Sequence, residues 1–176
     1  MNHNSLDEEL SIMYVESERS RVLDAKTFLK PIKHRRVRRP LTLHSGKTVQ
    51  DALTLMQARH GTCLLITREQ ALVGILTERD IVTKVLPTGK AFGTITVDEI
   101  MTRSPEAFQP DDSVAYVLNS MHLGGYRHVP VVDEKNRPLA IVSVRDIISF
   151  IADHFSEAIL NLPPRPVRSS RTQDGG

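Results

Sequence analysis

The stretch "VGILTERD" at residues 73–80 reappears in altered form as "LAIVSVRD" at residues 139–146. In each copy an apolar run ends in a hydroxyl side chain, and an aspartate follows three positions later. An apolar run of this length predicts a buried β-strand, and the hydroxyl with its acid is typical of a helix start. The duplication predicts that the chain contains two repeats of one unit. The hydroxyl and the acid are Thr77 and Asp80 in the first copy, and Ser143 and Asp146 in the second.

Other patterns recur around these strands in the same order, offset by about 65 residues. A helical stripe comes first, after a candidate N-cap hydroxyl, then a short strand, then the motif strand, then a second helical stripe. One half alone would hardly bury a sufficient core, so two halves are expected to pack into one α+β body. The N-caps are Thr48 and Ser113, and the short strands are "CLLIT" (63–67) and "HVPVV" (128–132). The first stripe is Val49, Ala52, Leu53 and Met56 in one half, and Val114, Val117, Leu118 and Met121 in the other. The second stripe is Ile81, Val82, Val85 and Leu86 in one half, and Ile147, Ile148, Ile151 and Ala152 in the other.

The composition is that of an ordinary globular protein, with 176 residues, one cysteine and a net charge of +2. One thiol cannot form an internal disulfide, and no cysteine pair or acid cluster has metal-ligand spacing, so we expect no metal site. No apolar run approaches the roughly 20 residues of a membrane span, and the acidic N-terminus lacks a secretory leader. These features predict a cytoplasmic protein in which Cys63 is a small buried apolar residue.

The repeated motif has two physical interpretations. Its spacing is that of a capping box, which stabilises a helix without any ligand. The same aspartate can instead accept hydrogen bonds from two ribose hydroxyls, while the free N–H groups of the following helix offer a seat for phosphate. The arginine before each aspartate, Arg79 or Arg145, can add a charged contact to that phosphate. Spacing alone leaves both interpretations open, and the second predicts a nucleoside phosphate as ligand.

The ordered set of repeated stretches over residues 40–157 resembles a tandem pair of CBS domains, the Bateman module. The resemblance implies two β-α-β-β-α units packed as a pseudo-symmetric pair with two clefts. It also implies a stand-alone regulatory protein, not an enzyme, with no obligatory cofactor, that binds AMP, ADP, ATP or S-adenosylmethionine and forms a homodimer. The matching stretches are "TVQDALTLM", "LVGILTERDIV", "VDEIMTRSPEAFQPDDSVAYVLNSM", "YRHVPVVD" and "PLAIVSVRDII".

The resemblance also assigns ligand contacts to positions in this sequence. In each repeat it implies a ribose-binding aspartate, a hydroxyl near the ribose or phosphate, and an arginine that reaches phosphate. It further implies a strand entry that frames the base and a segment before the first helix that contacts the adenine edge. The first group is Thr77, Arg79, Asp80, Ser143, Arg145 and Asp146, and the second group is Arg127, His128, Val129, Thr42 and Ala107.

The two halves match the family pattern unequally. The second half contains "IMT" (100–102) and "YRHVP" (126–130), whereas the first has "RRPLTL" (38–43) and begins its strand with Thr62 and Cys63. We therefore expect the cleft that contains Asp146 to be the better site.

Composition shifts suggest the boundaries of the domains. A basic stretch, "KPIKHRRVRRP" (30–40), is either a solvated linker or a docking patch for a partner or a nucleic acid, acting through residues 30–39. Nucleic acid is the weaker alternative because interleaved aromatics are lacking. The predicted segments are an N-terminal extension (1–39, helical over 5–29), CBS repeat 1 (40–92), CBS repeat 2 (93–160) and a disordered tail (161–176).

Two further hypotheses concern nucleotide chemistry. "HSGKT" (44–48) ends like a phosphate-binding loop, but Leu41 stands where that motif requires its first glycine, so we predict a turn before the Thr48 cap. A small enzyme that turns over a bound nucleotide is a third functional alternative, although no catalytic group can be named.

Overall fold

The computed structural model describes residues 28–34 and 38–154. The chain divides into two units, Asp24–Ile147 and the combination of Met1–Leu23 with Ile148–Gly176. Of the second unit only residues 148–154 are described, as the end of a helix. The predicted tail over 161–176 and nearly all of the predicted helix over 5–29 lie outside the described residues.

The described elements alternate between helices and strands, as the repeated patterns predict. The strands form a four-stranded sheet in the order β1-β2-β3-β4 and a two-stranded sheet of β5 and β6. β1 is parallel to β2, and the β2/β3, β3/β4 and β5/β6 pairs are antiparallel. The strands are β1 (Thr42–His44), β2 (Cys63–Arg68), β3 (Ala71–Thr77), β4 (Thr102–Arg103), β5 (His128–Val132) and β6 (Pro138–Ser143), and the helices are α1 (Val49–Arg59), α2 (Glu78–Asp80), α3 (Val97–Ile100), α4 (Val114–Gly124) and α5 (Val144–His154).

The first helix of each repeat begins and ends as its sequence predicts. Thr48 caps α1 by accepting a hydrogen bond from the N–H of Asp51, and Ser113 caps α4 in the same way with Tyr116. α4 ends at Gly125, whose φ of 67° is a left-handed conformation that glycine adopts without steric cost. Each helix buries its predicted stripe except for Leu53 and Leu118, which are half-buried.

The helix predicted after β3 differs from the expectation. α2 continues as a π turn over Ile81–Val85 and a 3₁₀ turn over Leu86–Thr88. Ile81 and Val85 are buried as predicted, but Val82 and Leu86 are exposed, so half of that stripe is wrong. A π turn is wider than an α-helix, so successive side chains point in different directions from those that an α-helix would give. Pro87 also cannot donate the backbone hydrogen bond that would extend a regular helix.

Each repeat is entered through a segment that packs against the other repeat. Thr96 forms a β-bridge with Thr48, and β4 pairs with β3. Residues ahead of β4 belong to the hydrophobic core of the first repeat, although the sequence assigns them to the second. These residues are Ile95, Val97, Ile100 and Met101.

The basic entry segment of the first repeat mirrors this arrangement. Pro31 bridges Ser113, Ile32 is buried with 2% of its surface exposed, and Arg38 bridges Ile141 in β6. The N–H of Ile32 donates to the carbonyl of Asp112 at 2.9 Å. At its described positions the segment is therefore attached to the second repeat and is not a solvated linker.

The two repeats also meet through an apolar cluster and a pair of turns. Cys63, Leu65, Leu72 and Ile75 of the first repeat pack with Val132 of the second. The N–H of Leu72 donates to the carbonyl of Asn136 at 2.8 Å, and the Asn136 side chain donates back to the carbonyl of Leu72 at 2.9 Å. These contacts join the repeats near the starts of β3 and β6, at the ends opposite to Thr77 and Ser143.

Candidate functional site

The first motif site is defined by Thr77, Asp80 and Lys84. Thr77 is the last residue of β3 and the N-cap of α2. Its backbone is still extended, and its hydroxyl accepts a hydrogen bond from an N–H group of the first helical turn. The N–H and Oγ1 of Thr77 donate to Oδ2 of Asp80 at 2.9 and 2.7 Å. The N–H of Asp80 donates back to Thr77 Oγ1 at 3.3 Å. This reciprocal pair is a capping box.

The second motif site is defined by Ser143, Asp146, Arg38 and His128. The N–H and Oγ of Ser143 donate to Oδ2 of Asp146 at 2.8 and 2.6 Å. The N–H of Asp146 donates to Ser143 Oγ at 3.3 Å. The capping-box interpretation is therefore confirmed for both copies of the motif.

A capping box by itself does not mark a ligand site in this chain. Thr48 forms one with Asp51, and Thr96 forms one with Glu99, and all four hydrogen bonds that these carboxylates accept are exposed. The motif aspartates differ because they are mostly buried, with 14% of the Asp80 side chain and 17% of the Asp146 side chain exposed. Each of them also keeps its second oxygen, Oδ1, outside the box.

A cationic side chain forms an ion pair with Oδ1 in both sites, but the two cations come from different parts of the chain. Lys84 Nζ lies 2.6 Å from Asp80 Oδ1, one helical turn further along the chain, and also donates to the carbonyl of Ile100 at 2.7 Å. The guanidinium of Arg38, on the entry segment, lies 3.1 Å from Asp146 Oδ1. The sequence prediction named neither cation.

The electrostatics of the first motif site favour the ionised carboxylate. Burial alone would raise the pKa of Asp80, but the hydrogen bonds from Lys84 and Thr77 outweigh it and place the pKa below its ordinary value. Burial, together with the charge of Asp80, raises the pKa of the Cys63 thiol to about 12. Cys63 is therefore buried, as predicted, and its burial makes the thiol unreactive.

His128 opens β5 beside the second aspartate. Its side chain is half-buried, and this burial lowers its pKa. The charge of Arg127 lowers the pKa further, Asp146 opposes this lowering, and Arg38 adds the smallest lowering effect. The backbone carbonyl of Arg127 accepts from the N–H of Val144 at 3.0 Å, as that of Thr62 does from Glu78 at 3.2 Å. The strand entries are thus equivalent, but only the second one adds a histidine and an arginine.

The remaining predicted contacts are distributed more widely. Arg79 and Arg145 are exposed, and neither forms an ion pair within residues 28–34 and 38–154. Val129 is fully buried. Thr42 lines a pocket of about 390 Å³ that also contains second-repeat residues, among them Arg137.

Ala107 packs against the apolar cluster that joins the repeats. Four of the predicted residues lie together in the second motif site. Ser143 pairs with His128 across β5 and β6 and donates to Asp146, and Arg127 directly precedes His128. Within the described residues, neither Thr42 nor Ala107 forms a hydrogen bond or an ion pair with either aspartate.

A signal for Lys84 exists in the sequence, because a lysine four residues after an aspartate on a helix is a known favourable pair. No comparable signal exists for Arg38. It reaches Asp146 only because the entry segment of one repeat pairs with β6 of the other.

The turn at residues 44–48 and the basic segment both have their charged or polar groups engaged within the chain. The turn predicted at "HSGKT" is present, with Gly46 at φ 84°, and its Ser45 Oγ and Gly46 N–H donate to Asp98 at 2.7 and 2.5 Å. Those donors are consequently occupied by a carboxylate of the same chain. In the basic segment, Lys33 pairs with Asp111 and Arg38 with Asp146, which leaves less of its charge for an external polyanion.

The described part of the chain shows neither a metal-binding cluster nor a membrane-spanning helix. No group of three or more His, Cys, Asp or Glu side chains there is arranged to hold a metal ion. No described helix combines the length and the apolarity that a bilayer crossing requires.

Two pseudo-symmetric α+β repeats, each with a strand–hydroxyl–helix junction and a mostly buried aspartate, define the class of small tandem-repeat α+β domains. The CBS domain family model matches this chain twice, at residues 34–87 and 97–153. The chain belongs to the CBS domain family.

Individual relatives and solved structures agree with that assignment. The CBS domain-containing protein CBSCBSPB2 of Arabidopsis thaliana is 33% identical over 126 residues, which cover 71% of this chain and 23% of the relative. This chain therefore spans under a quarter of that relative's length. The mitochondrial CBS domain-containing protein CBSX3 of Arabidopsis thaliana is 28% identical over 120 residues, covering 65% of this chain and 58% of the relative.

Among solved structures, the CBS domain pair of protein MJ0100 has a TM-score of 0.64 and 29% sequence identity. The match covers 71% of this chain and 98% of that chain, and that pair was solved in complex with 5′-methylthioadenosine and S-adenosyl-L-methionine.

Proposed function

We propose that this CBS pair is a regulatory module that binds adenosine nucleotides (AMP, ADP or ATP) in the clefts between its repeats and has no catalytic activity of its own. One observation carries the proposal: each repeat presents a mostly buried aspartate whose Oδ2 is fixed by the capping box and whose Oδ1 faces a cation. An ionised carboxylate held in this way is a strong acceptor for ribose hydroxyls.

The adenosine class is supported by the MJ0100 pair, whose complex contains two adenosine compounds. The second motif site is the candidate that we favour, because Arg127 and His128 add donors beside Asp146. The first motif site has Thr62 and Cys63 at the corresponding entry.

A regulatory mechanism follows from the crossed entry segments. Each motif site draws residues from both repeats: Arg38 crosses to Asp146, while Ile100, ahead of the second repeat, accepts from Lys84. A ligand that contacts such a site favours one relative arrangement of the repeats, and its differential affinity for two arrangements transmits the signal.

Thermal unfolding of the full chain with AMP, ADP, ATP, S-adenosylmethionine and GMP tests the proposal. A ligand at 100 times its Kd stabilises the folded state by about 2.7 kcal/mol. We expect an adenosine nucleotide to raise the Tm of the native chain and Asp146→Asn to remove most of that rise.

Asp51→Asn is the matched control, because Asp51 forms the same capping box with Thr48 outside the motif sites. This variant should keep the full ligand-induced rise. If no adenosine compound shifts the Tm, or if Asp51→Asn and Asp146→Asn lose the shift equally, the motif is only a capping box and the proposal fails.

We further propose a cytoplasmic homodimer. Exposed Tyr116 and Leu123 on α4 support self-association, because large apolar side chains on one helix face favour burial against a partner. Light scattering coupled to size-exclusion chromatography should give twice the mass of one chain, whereas a monomer at micromolar concentration would contradict it.

A further inference from the structure

Asp146 has little free acceptor capacity as it stands. Its Oδ2 accepts two hydrogen bonds from Ser143, and its Oδ1 forms an ion pair with the Arg38 guanidinium at 3.1 Å. Two ribose hydroxyls need an exposed carboxylate oxygen, so a nucleoside can reach Asp146 fully only when the Arg38 guanidinium moves away from Oδ1.

The Arg38 side chain can move while the backbone of the entry segment stays paired with β6. Its backbone carbonyl is held by the N–H of Ile141 at 3.1 Å, while 62% of its side chain is exposed. After it leaves Oδ1, the guanidinium therefore stays tethered at the edge of the site. Arg127 lies near the same site, since its charge acts on His128, so the displaced guanidinium remains close to a second cation.

A displaced guanidinium needs a new anion, and the ligand decides whether it finds one. A phosphate on the 5′ carbon of the nucleoside offers oxygens that match the planar fork of an arginine. Adenosine and 5′-methylthioadenosine carry no anionic group. When they bind, the Arg38 guanidinium loses its ion pair with Asp146 and contacts only water in its place.

We infer that Arg38 is a specificity-determining residue of the second motif site, which selects adenosine ligands with a 5′-phosphate over uncharged ones. This inference rests on the proposed function and adds the chemical class of its ligand. The first motif site has no equivalent device, because Lys84 keeps a second acceptor, the carbonyl of Ile100 at 2.7 Å, when it leaves Asp80.

Isothermal titration of AMP and of adenosine into the full chain, in an Asp80→Asn background that silences the first motif site, tests this inference. The ratio of the two Kd values should be about tenfold or more with Arg38, the effect expected of one charge-assisted contact to phosphate. Arg38→Gln should bring the ratio close to one by weakening AMP and strengthening adenosine, and Arg38→Lys should restore part of it.

Arg39→Gln is the control, because Arg39 is the exposed neighbour of Arg38 and should leave the ratio unchanged. Unfolding curves of Arg38→Gln confirm that the variant is folded. If AMP and adenosine bind and the ratio does not respond to Arg38→Gln, the inference is overturned while the proposed function stands. If neither compound binds the background or the native chain, the proposed function itself fails and the inference falls with it.

Discussion

The first and second motif sites have the same backbone geometry and differ in the cation that faces the aspartate. Each has a hydroxyl and an aspartate in a capping box, with the same three hydrogen bonds within 0.1 Å of one another. The cation at the first aspartate is Lys84, on the same helical segment, whereas the second receives Arg38 from the entry segment. Four residues after Asp146 the sequence has Phe150, so the lysine is not repeated.

This difference shows that the repeat fixes the scaffold and that unrepeated positions set the binding properties. The counterpart of Arg38 in the other entry segment is Thr102, which pairs with Ile75 in β3 as Arg38 pairs with Ile141 in β6. One entry segment therefore brings a guanidinium to the site that it crosses, and the other brings a short neutral side chain.

The largest expected effect concerns the entry segment itself. Ile32 is buried, as is Val97, its counterpart ahead of the second repeat. Ile32→Ala should lower the free energy of unfolding by about 3 kcal/mol, because it removes buried methyl groups and leaves a cavity. Urea denaturation measures the loss.

Leu29→Ala is the control for this change, since Leu29 is an exposed apolar residue immediately ahead of this segment and should cost less than about 0.5 kcal/mol. Equal losses for the two variants would mean that the first entry segment does not mirror the second.

The next prediction compares the two cations directly. Lys84→Met should cost about 1 kcal/mol, because it removes both the ion pair with the mostly buried Asp80 and the hydrogen bond to Ile100. Arg38→Gln should cost less than about 0.5 kcal/mol, because its guanidinium is largely exposed and makes a single ion pair. The two variants are compared by chemical denaturation, and the reverse order would contradict the assignment of Lys84 as the structural cation and Arg38 as the mobile one.

A smaller effect is expected in the acid pH range. The folded-state pKa of Asp80 lies below the ordinary value of 3.8, so its contribution to stability is complete above that pH and is lost as the pH falls through the folded-state pKa. The native chain should therefore lose more stability than Asp80→Asn between about pH 5 and pH 3. Parallel curves of unfolding free energy against pH would show that Lys84 and Thr77 do not stabilise the charged form.

The smallest effect is an electrostatic one at His128. Burial, Arg127 and Arg38 together lower its pKa below 6.5, so it is neutral at pH 7.5, and its protonation as the pH falls below 6.5 weakens folding. Arg38→Gln should raise that pKa slightly, and Arg39→Gln should not. NMR titration of the imidazole measures both, and a pKa that falls in Arg38→Gln would contradict the proximity of the two side chains.

Much of the scaffold could be predicted from the sequence because it depends on local patterns. The stripes in α1 and α4, their caps Thr48 and Ser113, and the strands around the motif follow from periodicity and capping chemistry. The π turn after α2 could not be predicted, because its apolar spacing fits an α-helix equally well.

The crossed entry segments and the cation at Asp146 depend on tertiary structure alone. Pro31 and Ile32 occupy the places of Thr96 and Val97, yet the two pairs share no motif that would align them. Arg38 and Asp146 are remote in sequence, and only the bridge between Arg38 and Ile141 brings them together. The candidate site was therefore predicted in its carboxylates and hydroxyls, but not in the charges that complete it.

The most direct test of the central claim is a titration of AMP into uniformly ¹⁵N-labelled protein, with the amide signals of Ser143 and Thr77 followed together. Each of these N–H groups donates to the aspartate of its own motif site, so each reports on ligand contact there. We predict that the Ser143 signal shifts and saturates at a lower AMP concentration than the Thr77 signal. A Thr77 signal that saturates first, or two signals that do not move, would contradict the assignment of the second motif site as the principal nucleotide site.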